Sequence, residues 1–172
     1  MSIATFDFTD YNAQGYLVLE PGKYAAKCFN WEWKVKEETG NQVNYVDFVI
    51  TDGKYVGEQV RHFQTISGND KSVGAFFGML TRMGLIKEED RKGGQKFTAS
   101  LKFDDNEKGE KRKVLAVTIN DGEIERPVEN TPVTLTIINE KNDQGETVSK
   151  VSRVDAAGLA TGTAAPKGKG GF

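Results

Sequence analysis

Three aromatic side chains recur at every second position in one segment: Phe29, Trp31 and Trp33. This alternation is typical of a β-strand, whose successive side chains point to opposite faces. Flat rings exposed on a strand can stack on unpaired nucleic-acid bases, at roughly 1–3 kcal/mol per base. The stripe therefore predicts a stacking surface. The alternative is that these rings pack in the core beneath a helix, which would invert the faces of the strand.

The next two segments that alternate in this way add rings and cations to the predicted surface. If the more apolar face of each segment points inward, Tyr45 and Phe63 point outward, and Arg61 shares the face of Phe63. Lys27 shares the face of Trp31, and Lys34 follows the aromatic stripe. The predicted binding residues of these three segments are Trp31, Trp33, Phe29, Tyr45, Arg61, Phe63, Lys27 and Lys34.

The densest cationic run is Lys111-Arg112-Lys113, at the start of a later strand. Such a run can contact phosphates, which dominate the electrostatic part of nucleic-acid affinity. Charge runs at strand ends are also common as solvated surface, so both interpretations remain open.

The residues favour no enzyme. A single histidine, His62, excludes multi-histidine metal sites, and a single cysteine, Cys28, is expected to be a small core residue. Asp104, Asp105 and Glu107 could hold Mg²⁺ as a nuclease would require, but they are more simply explained as turn residues. We therefore predict no catalytic residues, no cofactor and no metal.

The composition limits the class of protein. The chain has 172 residues, with 23 Lys and Arg against 25 Asp and Glu, so its net charge is −2. This value gives no support to bulk electrostatic binding, although it allows a local basic strip. No apolar run approaches the roughly 18–20 residues of a membrane helix, the N-terminal segment lacks a signal peptide's pattern, and one cysteine suits a reducing compartment. We expect a cytoplasmic protein without membrane contact.

The elements that must position these residues follow from the hydrophobic periodicity. Period-two alternation predicts about seven strands, and a period of 3.6 between Asn69 and Gly84 predicts one helix after the third strand. The predicted strands are residues 23–36, 43–51, 57–66, 96–103, 111–119, 133–137 and 147–154. We therefore predict a mainly β fold: an antiparallel barrel of the oligonucleotide/oligosaccharide-binding (OB) type, with one helix between strands 3 and 4 and an added C-terminal hairpin.

The last residues differ in composition from the rest. Residues 156–172 are rich in Gly, Ala, Thr and Lys, and they predict a flexible tail after a single domain over residues 1–155. The terminal Phe172 could be captured by a partner pocket.

Several phrases of the sequence resemble a family of small bacteriophage early-region proteins. They are FDFTDY (6–11), GYLVLEPGKYAAK (15–27), ETGN (38–41), VDFVITDGKYVGEQV (46–60) and LTRMGL (80–85). The resemblance covers roughly residues 6–120. It implies an OB-like protein that binds single-stranded DNA among phage replication and recombination functions, in the cytoplasm of an infected bacterial host. It supplies no residue-by-residue DNA contacts.

We therefore predict a non-catalytic single-stranded DNA-binding protein that combines base stacking with phosphate contacts. The alternative is a β-barrel adaptor that recruits phage or host replication or recombination proteins through the tail and does not itself hold DNA.

Overall fold

The computed structural model describes residues 4–91, 96–105 and 111–158, except for the side chains of residues 104, 105 and 111–113. The described part is mainly β, with eight strands and one α-helix. The elements are β1 (Gly22–Val35), β2 (Gln42–Ile50), β3 (Gln59–Ile66), α1 (Asp70–Arg82), β4 (Ala99–Asp105), β5 (Lys111–Ile119), β6 (Ile124–Pro127), β7 (Pro132–Lys141) and β8 (Thr147–Ala156). The α-helix is the predicted one, and β6 is a strand that the sequence pattern missed.

The helix has the ends that the sequence predicts. The backbone amide of Ser72 donates to Oδ1 of Asn69 at 2.8 Å, which satisfies one of the free amides of the first turn. Gly84 follows the helix with φ +80°, a left-handed conformation that favours glycine. No helix in the described ranges is long and apolar enough to cross a membrane.

The strands form two antiparallel sheets. One has the order β3-β2-β1-β7-β8, and the other has the order β4-β5-β6. The prediction that the C-terminal hairpin is an addition is therefore wrong, because β7 pairs directly with β1 from Gly22↔Ile137 to Lys27↔Pro132. In the chain, β4, β5 and β6 lie between α1 and β7, and they form the smaller sheet.

The larger sheet brings its two edge strands, β3 and β8, close together. Four antiparallel pairings separate them, so they run in the same direction. Helix α1 packs against both edges, and Nε of Arg82 donates to the carbonyl of Val154 at 2.8 Å. No ladder joins β3 to β8 among the described residues, so the sheet is rolled but is not a closed barrel.

We call the line along which β3 and β8 approach each other the seam. Helix α1 lies at one end of the seam, and the segment before β1 lies at the other end. Nζ of Lys54, in the turn before β3, lies 3.4 Å from Asp10, and the Tyr55 hydroxyl accepts from the amide of Glu20 at 3.2 Å. On the opposite side, the side-chain amide of Asn12 donates to the carbonyl of Thr147 at 2.8 Å. Residues 10–20 thus connect the start of β3 to the start of β8.

A β-bulge in β1 changes which residues face the core. Cys28 pairs with Phe48 and Asn30 with Asp47, so Phe29 is an extra residue in the ladder. Because a bulge shifts the alternation by one, both Cys28 and Trp31 point inward. The expectation that the Trp31 ring is available for stacking is therefore wrong, since its exposed fraction is 0%.

Candidate nucleic-acid interface

The outward face of β1, β2 and β3 carries an aromatic pair. Tyr45 and Phe63 are directly opposite each other in the ladder between β2 and β3, with ring centroids 6.3 Å apart. Phe63 is 61% exposed and Tyr45 is half-buried. The two rings are tilted by 40° to each other, and the exposed Phe63 ring beside Tyr45 offers an apolar face on which an unpaired base can stack.

Arg61 lies beside this pair and is held by acidic neighbours. Its Nε and Nη2 donate to Oδ1 and Oδ2 of Asp47 at 2.6 and 3.0 Å, and Nη2 lies 3.5 Å from Glu32. The hydrogen bonds to Asp47 raise the pKa of Arg61 above its usual value. The two-point contact fixes the plane of the guanidinium, whose carbon lies 5.1 Å from the centroid of the Tyr45 ring. Phe63, Tyr45 and Arg61 together form what we call the platform.

Two lysines lie on the same outward face as the platform. Nζ of Lys34 is 5.4 Å from the centroid of the Tyr45 ring. Lys27 is exposed and pairs with Val49 of β2, two ladder positions from the Asp47 pair. Since Asp47 and Glu32 largely neutralise Arg61, these lysines are the cations best placed to meet phosphates.

The tryptophans lie on the inward face of β1. The indole nitrogen of Trp31 donates to Oδ1 of Asn44 at 3.1 Å, and its ring meets Phe76 of α1 edge-on. Trp33 is half-buried between Phe76 and Phe103, at centroid distances of 5.9 and 5.5 Å. The alternative interpretation, packing beneath the helix, is confirmed for Trp31.

Other predicted residues are not part of the platform. Phe29 is half-buried at the bulge. The backbone of Lys111, Arg112 and Lys113 begins β5, but their side chains lie outside the described part of the structure. The side chains of Asp104 and Asp105, all of Glu107 and Phe172, and the predicted tail after residue 158 also lie outside it. Their proposed roles remain predictions.

The single histidine and the single cysteine both lie in surroundings that indicate a structural role. His62 lies at the seam near the backbone of Val151, and burial lowers its pKa. Cys28 is a buried free thiol, as expected of a small core residue, and burial raises its pKa to about 12. No cluster of potential metal ligands occurs among the residues that the structure describes.

Sequence reasoning missed Asp47, the residue that orients Arg61. A signal was available: Asp47 has the same strand parity as Tyr45, and opposite charges on facing positions of adjacent strands attract each other. Its low exposure, 9%, follows from the contacts with Arg61 and Asn30.

Comparison with known proteins adds one match. Residues 4–74 match a family described as a protein of unknown function (DUF669). This range includes the N-terminal segment, β1 to β3 and the first residues of α1, and thus every residue of the platform. No curated protein matches the chain.

Proposed function

We propose that this protein binds single-stranded DNA on the outward face of β1, β2 and β3. The observation that carries the proposal is the platform: an exposed Phe63, the adjoining Tyr45 and a guanidinium fixed against the Tyr45 ring. Rings and a guanidinium plane stack on any base. Binding is therefore expected to depend little on sequence.

The arrangement of the larger sheet supports this proposal. Its five strands occur in the chain order β1, β2, β3, then β7 and β8, with α1 following the third. This is the strand and helix order of an OB-like barrel, and β4-β5-β6 is then an insertion. OB folds bind oligonucleotides on the face of strands 2 and 3, which here holds Tyr45 and Phe63.

The platform favours unpaired over paired DNA. In a duplex, the faces of the bases are covered by their neighbours, so a stacking surface gains little from it. Two lysines provide few phosphate contacts, so the salt dependence is expected to be shallow, with a log–log slope of about −0.7 per phosphate neutralised. The resemblance to phage early-region proteins supports a role on transient single strands in replication or recombination.

The proposal is tested by fluorescence anisotropy with a labelled oligo-dT and the full chain. We expect Tyr45→Ala and Phe63→Ala each to weaken binding, by roughly 5-fold to 100-fold, as loss of one stacking ring does. Phe6→Ala is the matched control, because Phe6 is 70% exposed but lies on the N-terminal segment, where its ring contacts Phe8. Equal affinity of all three variants and the wild type would overturn the platform as the binding site.

A further inference from the structure

A pocket of about 430 Å³ opens in the seam between β3 and β8, next to the N-terminal segment. Its size lies within the range of small-molecule sites, roughly 300–1,000 Å³. The walls are mainly apolar, and cations stand among the lining residues. The lining includes Tyr16, Val60 and Val151, the cationic Arg61 and Lys150, and the acidic Glu58.

Tyr16 carries an exposed ring on a loop whose backbone is held in place. Its side chain is among the most exposed large ones, at 63%. Its amide donates to Oδ1 of Asn12 at 3.1 Å, and its carbonyl accepts from the amide of Asn12 at 2.9 Å. Asn12 is in turn bonded to the carbonyl of Thr147 at 2.8 Å. A tyrosine on a fixed backbone has only two side-chain torsions to lose when a ligand stacks on its ring, so the entropy cost of stacking is small.

Arg61 connects this pocket to the platform. Its guanidinium is fixed against Tyr45 on the outward face, and the same residue lines the pocket. Lys150 lies on the β8 side, with Nζ 3.5 Å from Glu140 and half of its side chain exposed. The pocket thus has a mainly apolar lining, and because Asp47 holds the Arg61 guanidinium and Glu58 also lines the pocket, Lys150 is the cation best placed to meet a phosphate there.

We propose that the seam pocket receives one unstacked base of the bound strand, with its ring against Tyr16 and a flanking phosphate near Lys150. This inference rests on the proposed function, since it extends the path of the DNA from Phe63 past Arg61 into the pocket between β3 and β8. The ligand is a base within a polynucleotide, and a free nucleotide lacks the platform contacts that would keep it there.

The test compares variants of the full chain in binding to oligo-dT and to thymidine monophosphate. We expect Tyr16→Ala to weaken oligo-dT binding at least about fivefold, Tyr16→Phe to retain it, and Phe6→Ala to leave it unchanged. We also expect ultraviolet crosslinking of oligo-dT, mapped by mass spectrometry, to label the peptide that contains Tyr16. Lys150→Gln should make the salt slope shallower by about 0.7.

The outcomes separate this inference from the proposed function. If Tyr45→Ala and Phe63→Ala weaken binding while Tyr16→Ala does not, the platform stands and the pocket is not part of the path. If thymidine monophosphate binds in a manner that depends on Tyr16 while oligo-dT affinity does not, the pocket is a free-nucleotide site and the inference is wrong. Thermal unfolding of each variant verifies that the exposed substitutions leave the fold intact.

Discussion

The guanidinium of Arg61 on β3 is held by both carboxylate oxygens of Asp47 on β2, at 2.6 and 3.0 Å. This contact determines what Arg61 can do. A free arginine could turn its fork of donors towards a phosphate, whereas a clamped one has those donors occupied and presents a fixed planar surface. Because the clamp also neutralises much of the charge, stacking is expected to contribute more than electrostatics here.

This contact gives a prediction for oligo-dT affinity. The direction of the change in affinity distinguishes Arg61 acting as a charge from Arg61 acting as a fixed stacking plane. Asp47→Asn removes a negative charge near the bound strand, so simple electrostatics predicts tighter binding. Loss of the clamp frees the guanidinium, so we expect weaker oligo-dT binding instead, by several-fold, in an anisotropy titration at constant salt.

Asp52→Asn is the control for the Asp47 variant. Asp52 is exposed in the turn before β3 and accepts only from the amide of Gly53 in the described structure, at 2.9 Å, a bond that asparagine can also make. Its substitution should leave the affinity unchanged or slightly raise it. Tighter binding by Asp47→Asn than by Asp52→Asn would mean that the clamp has no role.

The sequence predicted the local elements of this fold better than their arrangement. The helix ends at Asn69 and Gly84 follow from local chemistry, and the outward positions of Tyr45, Arg61 and Phe63 follow from regular alternation. The bulge at Phe29 could not be predicted, because one extra residue in a ladder depends on the pairing of β1 with β2. Pairing of the C-terminal hairpin with β1 is a long-range contact, which periodicity along the chain does not encode.

Trp31 gives a prediction that separates stability from binding. Trp31→Phe removes the hydrogen bond to Asn44 and part of a completely buried ring, so we expect a loss of about 1–3 kcal/mol in the free energy of unfolding. Oligo-dT affinity should be unchanged below the unfolding transition. Phe63→Ala should weaken oligo-dT binding and leave the free energy of unfolding within about 0.5 kcal/mol of the wild type. Urea unfolding and anisotropy on the same samples test both; reduced affinity of a fully folded Trp31→Phe would contradict the core assignment.

A buried ion pair joins the segment after α1 to the smaller sheet. Asp90 is fully buried and accepts from both Nη atoms of Arg126 on β6, at 2.5 and 2.8 Å. Nη1 of Arg126 also donates to the carbonyl of Leu85 at 3.0 Å. Asp90→Asn leaves the arginine charge without its partner, so we expect a loss of about 3–5 kcal/mol in the free energy of unfolding.

The neighbouring pair Lys102–Glu125 is the control, because both side chains are about half exposed and lie 3.4 Å apart. Glu125→Gln should cost no more than about 1 kcal/mol in the free energy of unfolding.

The pKa of Asp90 is lowered, first by its hydrogen bonds with Arg126. The contribution of Asp90 to stability is therefore complete above the unfolded value of 3.8 and is lost as the pH falls through the lower folded value. Urea midpoints from pH 7 to pH 2 should therefore fall less steeply for Asp90→Asn than for the wild type at the acid end.

His62 predicts a second, separate pH effect at the seam. Burial lowers its pKa below 6.5, and the cations of Lys150 and Arg82 act in the same direction, so the folded protein binds this proton less readily than the unfolded chain does. Stability should therefore fall as the pH decreases through 6.5 towards the folded pKa, since protons then favour the unfolded state. His62→Gln, which cannot gain this charge, should show a flatter profile of urea midpoint between pH 7.5 and pH 5.5. Parallel profiles for the variant and the wild type would mean that His62 is not held neutral by the seam.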